Sequence, residues 1–208
     1  MVITYYGNTY CKLTLGDLTI ATNPPSKALK PSRFGADIAF ITTNLPEAND
    51  PETVTLGDKV PFVIDSPGSY EIKELFVSGA ASTVTLDKKD YINTVYGFEL
   101  DGIKVAFLGY CYDDKAFSPE AKEIASQADM IFVSVGDDPS AAYKTATSFD
   151  PNVIIPMNYD ADSLKRFLKE GGQDLSVQAG KNEIQDKLTL KRRDLDGKEG
   201  HIMVLAAQ

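Results

Sequence analysis

Apolar and polar positions along this 208-residue chain keep an extended, β-like rhythm as far as Gly109 and then change to strand–helix alternation. In the first part, MVITYYG, YCKLTLG and LTIAT alternate or cluster β-branched and aromatic residues, punctuated by Gly7, Gly16 and Asp17. They read as an antiparallel meander. Asn23, Pro24 and Pro25 end it, and Ser26 to Gly35 reads as a loop carrying Lys27, Lys30 and Arg33. Asp37 to Thr42 is a short apolar strand, as expected when both faces are covered. Lys59 to Asp65 is another strand. Ser66 to Ser69 reads as a turn, and Glu71 to Gly79 as a further extended stretch. Asn93 to Leu100 and Ile103 to Leu108, joined by Asp101-Gly102, form a hairpin signature.

After Gly109, Ser118 and Pro119 have the form of an N-cap followed by proline at the first helical position, and Asp138-Pro139 repeats the device. The second helix is expected to end near Phe149. Met130 to Val135 and Val153 to Pro156 read as buried strands. Asp160 or Asp162 caps a helix with Leu164, Phe167 and Leu168 on one face, stopped by Gly171 and Gly172. The chain closes on an expected hairpin, Lys187 to Arg193 and His201 to Ala206, turning around Asp196-Gly197. This order suits an α/β (α+β) fold of two mixed sheets packed face to face with helices outside. The length fits one domain, residues 1–208.

Composition narrows the class. Hydrophobic residues make up 43% and charged residues 25%, ordinary proportions for a soluble globular protein. No apolar run approaches a membrane span of roughly 20 residues, and the N-terminal MVITYYGNTY has neither a basic nor an apolar leader segment. The two cysteines, Cys11 and Cys111, form no disulfide framework, so a reduced, cytoplasmic setting is expected. With 30 acidic and 21 basic side chains the net charge is −9, which disfavours a nucleic-acid partner. The basic cluster Lys187, Lys191, Arg192 and Arg193 reads as a solvated strand face, and Asp194, Asp196 and Glu199 follow it at once.

Several phrases, in order, resemble the metallo-β-lactamase superfamily. They are ITYYGNTYCKL, ATNPP, ADIAFITTN, SPGSYEIKELFVSG, YGFELDGIKVAFLGY, DMIFVSVG and PNVIIPMNY. Within that superfamily they are most similar to the small hydrolases related to the L-ascorbate-phosphate lactonase. The resemblance implies a four-layer αββα sandwich. It also implies a loop of the form Thr-His-X-His-X-Asp-His whose side chains hold one or two metal ions, usually zinc. Set onto this chain, Thr42 keeps the threonine, Thr43 and Leu45 stand for two histidines, Glu47 for the aspartate and Ala48 for the last histidine. The family's Leu-Gly-Asp becomes Leu108, Gly109 and Tyr110, and its Pro-Met-His-Tyr becomes Pro156, Met157, Asn158 and Tyr159. Gly-His-Ser becomes Gly7, Asn8 and Thr9, and Asp-Pro becomes Asn23 and Pro24. A further family histidine falls near Ala80, Ala81 and Ser82.

Zinc takes thiolate, imidazole or carboxylate ligands, about three in a catalytic site. At these positions only Glu47 is a strong donor. The expectation is therefore a member of the fold without a metal cofactor. Asn8, Thr43, Asn44, Leu45, Glu47, Ala48, Tyr110, Cys111, Asn158 and Tyr159 would line or fill the vestigial cleft. Such a mix suits a small polar ligand. The plainer expectation is that tyrosine and leucine fill the space as a packed plug.

Cys111 has no histidine to activate it, and Asp113 and Asp114 beside it oppose a thiolate, so it reads as structural. The single histidine, His201, is too remote to join a Ser-His-Asp triad. The pairs Asp113-Asp114 and Asp137-Asp138 read as loop solvation and helix capping, with a hard cation as the alternative. Three functions stay open: a non-catalytic binding or scaffolding protein for an unknown small molecule or protein; an atypical metal-dependent hydrolase of small lactones, esters or phosphorylated compounds using Glu47; and a homo-oligomeric interaction module. No membrane partner is expected.

Overall fold

The computed structural model describes residues 1–173 and 184–208. The chain opens with strands β1 (Val2–Tyr5), β2 (Cys11–Leu15) and β3 (Leu18–Thr22), followed by β4 (Ile38–Phe40) and β5 (Phe62–Ile64). Then come β6 (Gly68–Ile72), two long strands β7 (Leu75–Leu86) and β8 (Lys89–Leu100), and β9 (Ile103–Phe107). The alternating part is α1 (Pro119–Ser126), β10 (Met130–Ser134), α2 (Pro139–Thr147), β11 (Val153–Met157) and α3 (Ala161–Glu170). Two short strands, β12 (Leu188–Thr189) and β13 (His201–Ile202), complete it. No helix among the described residues is long and apolar enough to cross a membrane.

The strands form a six-stranded sheet, β12-β1-β2-β3-β4-β5, and a seven-stranded sheet, β13-β11-β10-β9-β8-β7-β6. Both are mixed. In the first sheet β3, β4 and β5 are parallel neighbours and the rest antiparallel. In the second, β9, β10, β11 and β13 are parallel. Strand periodicity of two sends alternate side chains into different layers. Ile20, Ile38 and Phe40 meet Val105, Phe107, Phe132 and Ile155 in the core between the sheets. Ala106, Ile131, Val133 and Ile154 point the other way, onto Ala121, Ala142, Leu164 and Phe167 of the three helices. On the first sheet the outer layer is made of shorter pieces: Ala21 and Ala39 are covered by Tyr10, Phe34 and Val54. The expected α/β sandwich of two facing mixed sheets with helices outside is the architecture observed.

Local chemistry explains the helix starts. Ser118 Oγ accepts the Ala121 amide at 3.1 Å, Asp138 Oδ1 accepts that of Ala141 at 3.0 Å, and Asp160 and Ser163 form a reciprocal capping box. The cap of α3 is therefore Asp160 and not Asp162. The Asp101-Gly102 hairpin is present, with both residues at positive φ. Residues 26–35 contain a 3₁₀ turn, Lys27–Leu29, capped by Ser26.

Two expectations are corrected. Glu71 to Gly79 is not one extended run, because Lys73 and Glu74, at φ +50° and +63°, turn β6 back onto β7. The C-terminal stretches do not pair with each other. β12 lies antiparallel to β1 in one sheet, and β13 runs parallel to β11 in the other. A 3₁₀ turn at Arg192–Leu195 separates them, and its Leu195 is buried in the core between the sheets.

Asp37, at the start of β4, pins this end of the first sheet. Its carboxylate accepts the Thr19 amide at 2.8 Å and meets Lys73 Nζ at 2.6 Å and Lys59 Nζ at 2.8 Å, with only 7% of the side chain exposed. Burial opposes its ionisation. The hydrogen bonds from Lys59, Lys73 and Thr19 outweigh that, so its pKa lies below the usual carboxylate value. A depressed folded-state pKa contributes stability that is present above the unfolded value, about 3.9, and is lost as pH falls through the folded value. Asp37→Asn is thus expected to lower the urea midpoint at pH 7. The gap between variant and parent should narrow steadily below about pH 4. A gap constant down to pH 2.5 would contradict the assignment.

Candidate functional site

Five chain segments meet at one edge of the sandwich. They are the β1–β2 loop with Asn8 and Thr9, Asn23 after β3, Thr42 and Thr43 after β4, the Leu108–Tyr110 corner after β9, and Asn158 after β11. Long-range hydrogen bonds record the meeting. Asn23 Nδ2 donates to Thr9 Oγ1 and Thr42 Oγ1, both at 2.9 Å, and its Oδ1 accepts the Thr42 amide at 2.8 Å. The Asn158 amide donates to the Asn8 carbonyl at 2.6 Å and to the Tyr5 hydroxyl at 3.0 Å. Asn158 Nδ2 donates to Ser134 Oγ at 3.0 Å. Asn8, Asn23 and Asn158 all hold left-handed backbone, at φ +50°, +46° and +51°. Asparagine is one of the few residues that tolerates this conformation at a corner.

Asn93, in the middle of β8, is the hub. Its Oδ1 accepts Thr43 Oγ1 at 2.9 Å and the Tyr110 amide at 3.0 Å. Its Nδ2 donates to Ser82 Oγ at 2.8 Å and to the Leu108 carbonyl at 2.9 Å. Two donors and two lone pairs are thus all used, at a residue with no exposed surface. Gly109, at φ +65°, is packed against this hub: a Cβ there would lie 2.3 Å from Asn93 Oδ1 and 2.6 Å from Thr42 Oγ1.

The Tyr110 side chain packs with Ala48 and Val84, and Leu45 lies against them. The Tyr110 hydroxyl and Asn8 Oδ1 are buried, and neither has a hydrogen-bond partner among the described residues. Burial raises the Tyr110 pKa. The Thr9 and Asn8 side chains face the hydroxyl and work in the opposite direction, though neither makes a well-aligned hydrogen bond with it, and Glu47 adds to the rise. This phenol is therefore a neutral group and not a base.

Other expected cleft residues are dispersed. Glu47 is exposed and lines, with Asn8, Tyr6 and Lys30, a recess of about 340 Å³. Asn44 is exposed and accepts Asn49 Nδ2 at 2.8 Å. Asn158 and Tyr159 line a separate recess of about 450 Å³ with Asp137 and Arg166. Cys111 faces the Thr83 and Asp113 carbonyls, each at 3.8 Å, in a crevice of about 160 Å³, and burial pushes its thiol pKa up to about 11. Both cysteines are free and buried.

The paired aspartates do not converge. Asp113 accepts the Lys115 amide, Asp114 pairs with Lys122 at 3.0 Å, and Asp138 caps α2. Among the described residues, no group of three His, Cys, Asp or Glu side chains is placed to hold a metal ion. His201 sits in β13 opposite Val153, its pKa lowered by burial and by Lys198. The sequence pattern did not mark Asn93 as a participant, and Ser82 stood out only as one of three residues near a family histidine position. The available signal was a lone asparagine inside a strand of β-branched and aromatic residues, where it is disfavoured without a partner.

Replacing the hub tests the network. Asn93→Leu leaves the Tyr110 amide buried without its acceptor, at about 1–3 kcal/mol, takes the acceptor from the Thr43 hydroxyl and removes one of the two donors to the Leu108 carbonyl. A loss of roughly 2–5 kcal/mol in unfolding free energy is expected from denaturant titration, against under about 1 kcal/mol for the exposed Asn44→Ala.

Solved structures share the fold. A candidate Zn-dependent hydrolase of the metallo-β-lactamase superfamily from Thermotoga maritima superposes with a TM-score of 0.71 at 24% identity, covering 98% of this chain and 97% of that one. A candidate metal-dependent hydrolase from Parabacteroides distasonis gives 0.62 at 20% identity, over 83% and 90%. An isothiocyanate hydrolase from Delia radicum gut bacteria gives 0.63 at 10%, over 100% and 97%. No curated protein sequence matches significantly. Residues 2–158 match the family model described as a beta-lactamase superfamily domain. With its two-sheet fold and its rim of strand-end loops, the chain belongs to the metallo-β-lactamase superfamily.

Proposed function

We propose that this chain is a superfamily member whose metal centre has given way to neutral side chains, and that it acts by binding and not by hydrolysis. The reading takes residues 1–208 as one domain close to the small lactonase-like hydrolases, working in a reducing compartment. The observation that carries it is the donor set. Asn8, Thr43, Leu45, Glu47, Ala48 and Asn158 occupy the positions that correspond to metal ligands. They bring amides, a hydroxyl, alkyl groups and a single exposed carboxylate. A catalytic zinc site needs about three imidazole, thiolate or carboxylate ligands and an open position. Neutral amide and hydroxyl oxygens do not hold such an ion tightly, and without it a water stays far from hydroxide at neutral pH. The residues present do not fit the metal.

The polar groups at the rim are already committed. Thr43 is hydrogen-bonded to Asn93 and Asn158 to Ser134. The Tyr110 ring packs against Ala48. Turning the Thr43 and Asn158 side chains onto a cation would break these two bonds.

Elemental analysis of protein purified without chelator is expected to find well under one equivalent of zinc, iron or manganese. A lactone, ester and phosphodiester panel with added divalent metal is expected to show no turnover above buffer. Stoichiometric metal, or turnover that falls on Glu47→Gln, would replace this reading with that of an atypical hydrolase.

A further inference from the structure

We propose that the outer face of the second sheet, where β6 to β9 run past α1, is a self-association surface whose occupant is a second copy of this chain. Helix α1 is too short for the strands beneath it. Its eight residues span about 12 Å. The twelve residues of β7 and of β8 span roughly 40 Å. Under the helix the outward positions Ala80, Val95 and Ala106 are buried with Ala121 and Ala125. On the same face of β7, at the end that α1 does not cover, Phe76 is 69% exposed.

The register assembles one row across this uncovered end. Glu71 of β6 is opposite Phe76 of β7, and Glu99 of β8 is opposite Lys104 of β9. Phe76 and Glu99 are neighbours in turn, one step beyond the Val77–Phe98 pair. The row therefore reads Glu71, Phe76, Glu99, Lys104, acidic at one end and basic at the other, with a large apolar ring between them. Beside it lies a groove of about 330 Å³, walled by Ile124, Gln127 and Ala128. Gly97 lets α1 sit this close to the sheet, since a Cβ there would lie 2.5 Å from Ile124 Cγ2.

This row is complementary to itself. Turned by a half rotation about an axis parallel to the strands and midway between β7 and β8, it meets its own reverse. Glu71 then faces Lys104 of the second copy, and Lys104 faces that copy's Glu71. Each Phe76 lies over β8 of the other copy, beside the groove, so the exposed rings leave water together. Glu71, Glu99 and Lys104 make no ion pair among the described residues, so their charges are free to act across the contact. A partner of uniform charge would match one end of the row and be repelled at the other. The contact is isologous and closes at the dimer. The exposed apolar stretch at the β5 edge, Val60, Phe62 and Val63, lacks this pattern: its neighbouring Lys59 is committed to Asp37.

Sedimentation velocity of the full chain, from micromolar to millimolar concentration, tests the proposal. A concentration-dependent monomer–dimer equilibrium is expected, with no larger species. Phe76→Ser should weaken it by about tenfold or more. Glu71→Lys and Lys104→Glu should each weaken it by about threefold or more, and the two together in one chain should restore it to within about twofold of the parent. All three positions are exposed, and equal urea midpoints show that the variants fold. A parent that stays monomeric throughout overturns the proposal, as does a dimer that Phe76→Ser leaves unchanged. A double charge reversal that fails to restore association overturns the two-fold register.

Discussion

The carboxamide of Asn93 is the joint on which the rim of this fold depends. It ties the end of β4, the corner after β9 and the adjacent strand β7 together from the middle of β8. Segments so far apart in sequence carry a large closure entropy, which apolar packing beneath them offsets without fixing their relative position. The amide supplies the direction that packing lacks. Asn23 does the same on the other side, joining the β1–β2 loop to the end of β4.

That clamp is uncharged, and the choice has energetic consequences. Coordination to a metal ion ties loops together through charged or strongly basic ligands, and the binding energy becomes folding energy. Amide and hydroxyl pairs avoid the large desolvation cost of buried charge and require instead that nearly every donor and acceptor be matched. Asn93 meets the requirement fully. Asn8 and Tyr110, at the outer side of the same rim, do not. The unmatched atoms are buried beside one another, with the Asn8 side chain facing the Tyr110 hydroxyl.

Much of the architecture is legible in local signals. Ser118-Pro119 and Asp138-Pro139 announce helices because a side-chain oxygen and a proline solve the problem of unpaired amides at a helix start. Asp101-Gly102 announces a hairpin because both residues accept positive φ. Lys73-Glu74 adopts the same sort of turn without the residues that advertise it; there the pairing of β6 with β7 overrides local preference. The separation of β12 from β13 is a long-range matter, settled by which sheet edge each strand reaches, and two apolar runs around Asp196-Gly197 look the same whether they pair or part. Motif order named Asn8, Thr43, Tyr110 and Asn158, which the fold brings to one edge. Their division between two recesses was not legible, nor was the part played by Asn93, because hydrogen bonds spanning eleven to fifty residues leave no periodic trace.

The three left-handed asparagines carry a further implication. Asparagine, aspartate and histidine are the non-glycine side chains that enter this region of backbone space most readily. A corner that holds asparagine there would receive an imidazole or a carboxylate without bending the chain. Asn8, Asn23 and Asn158 therefore hold corners at which a coordinating side chain could replace the amide at fixed backbone, with no redesign of the loops that carry them.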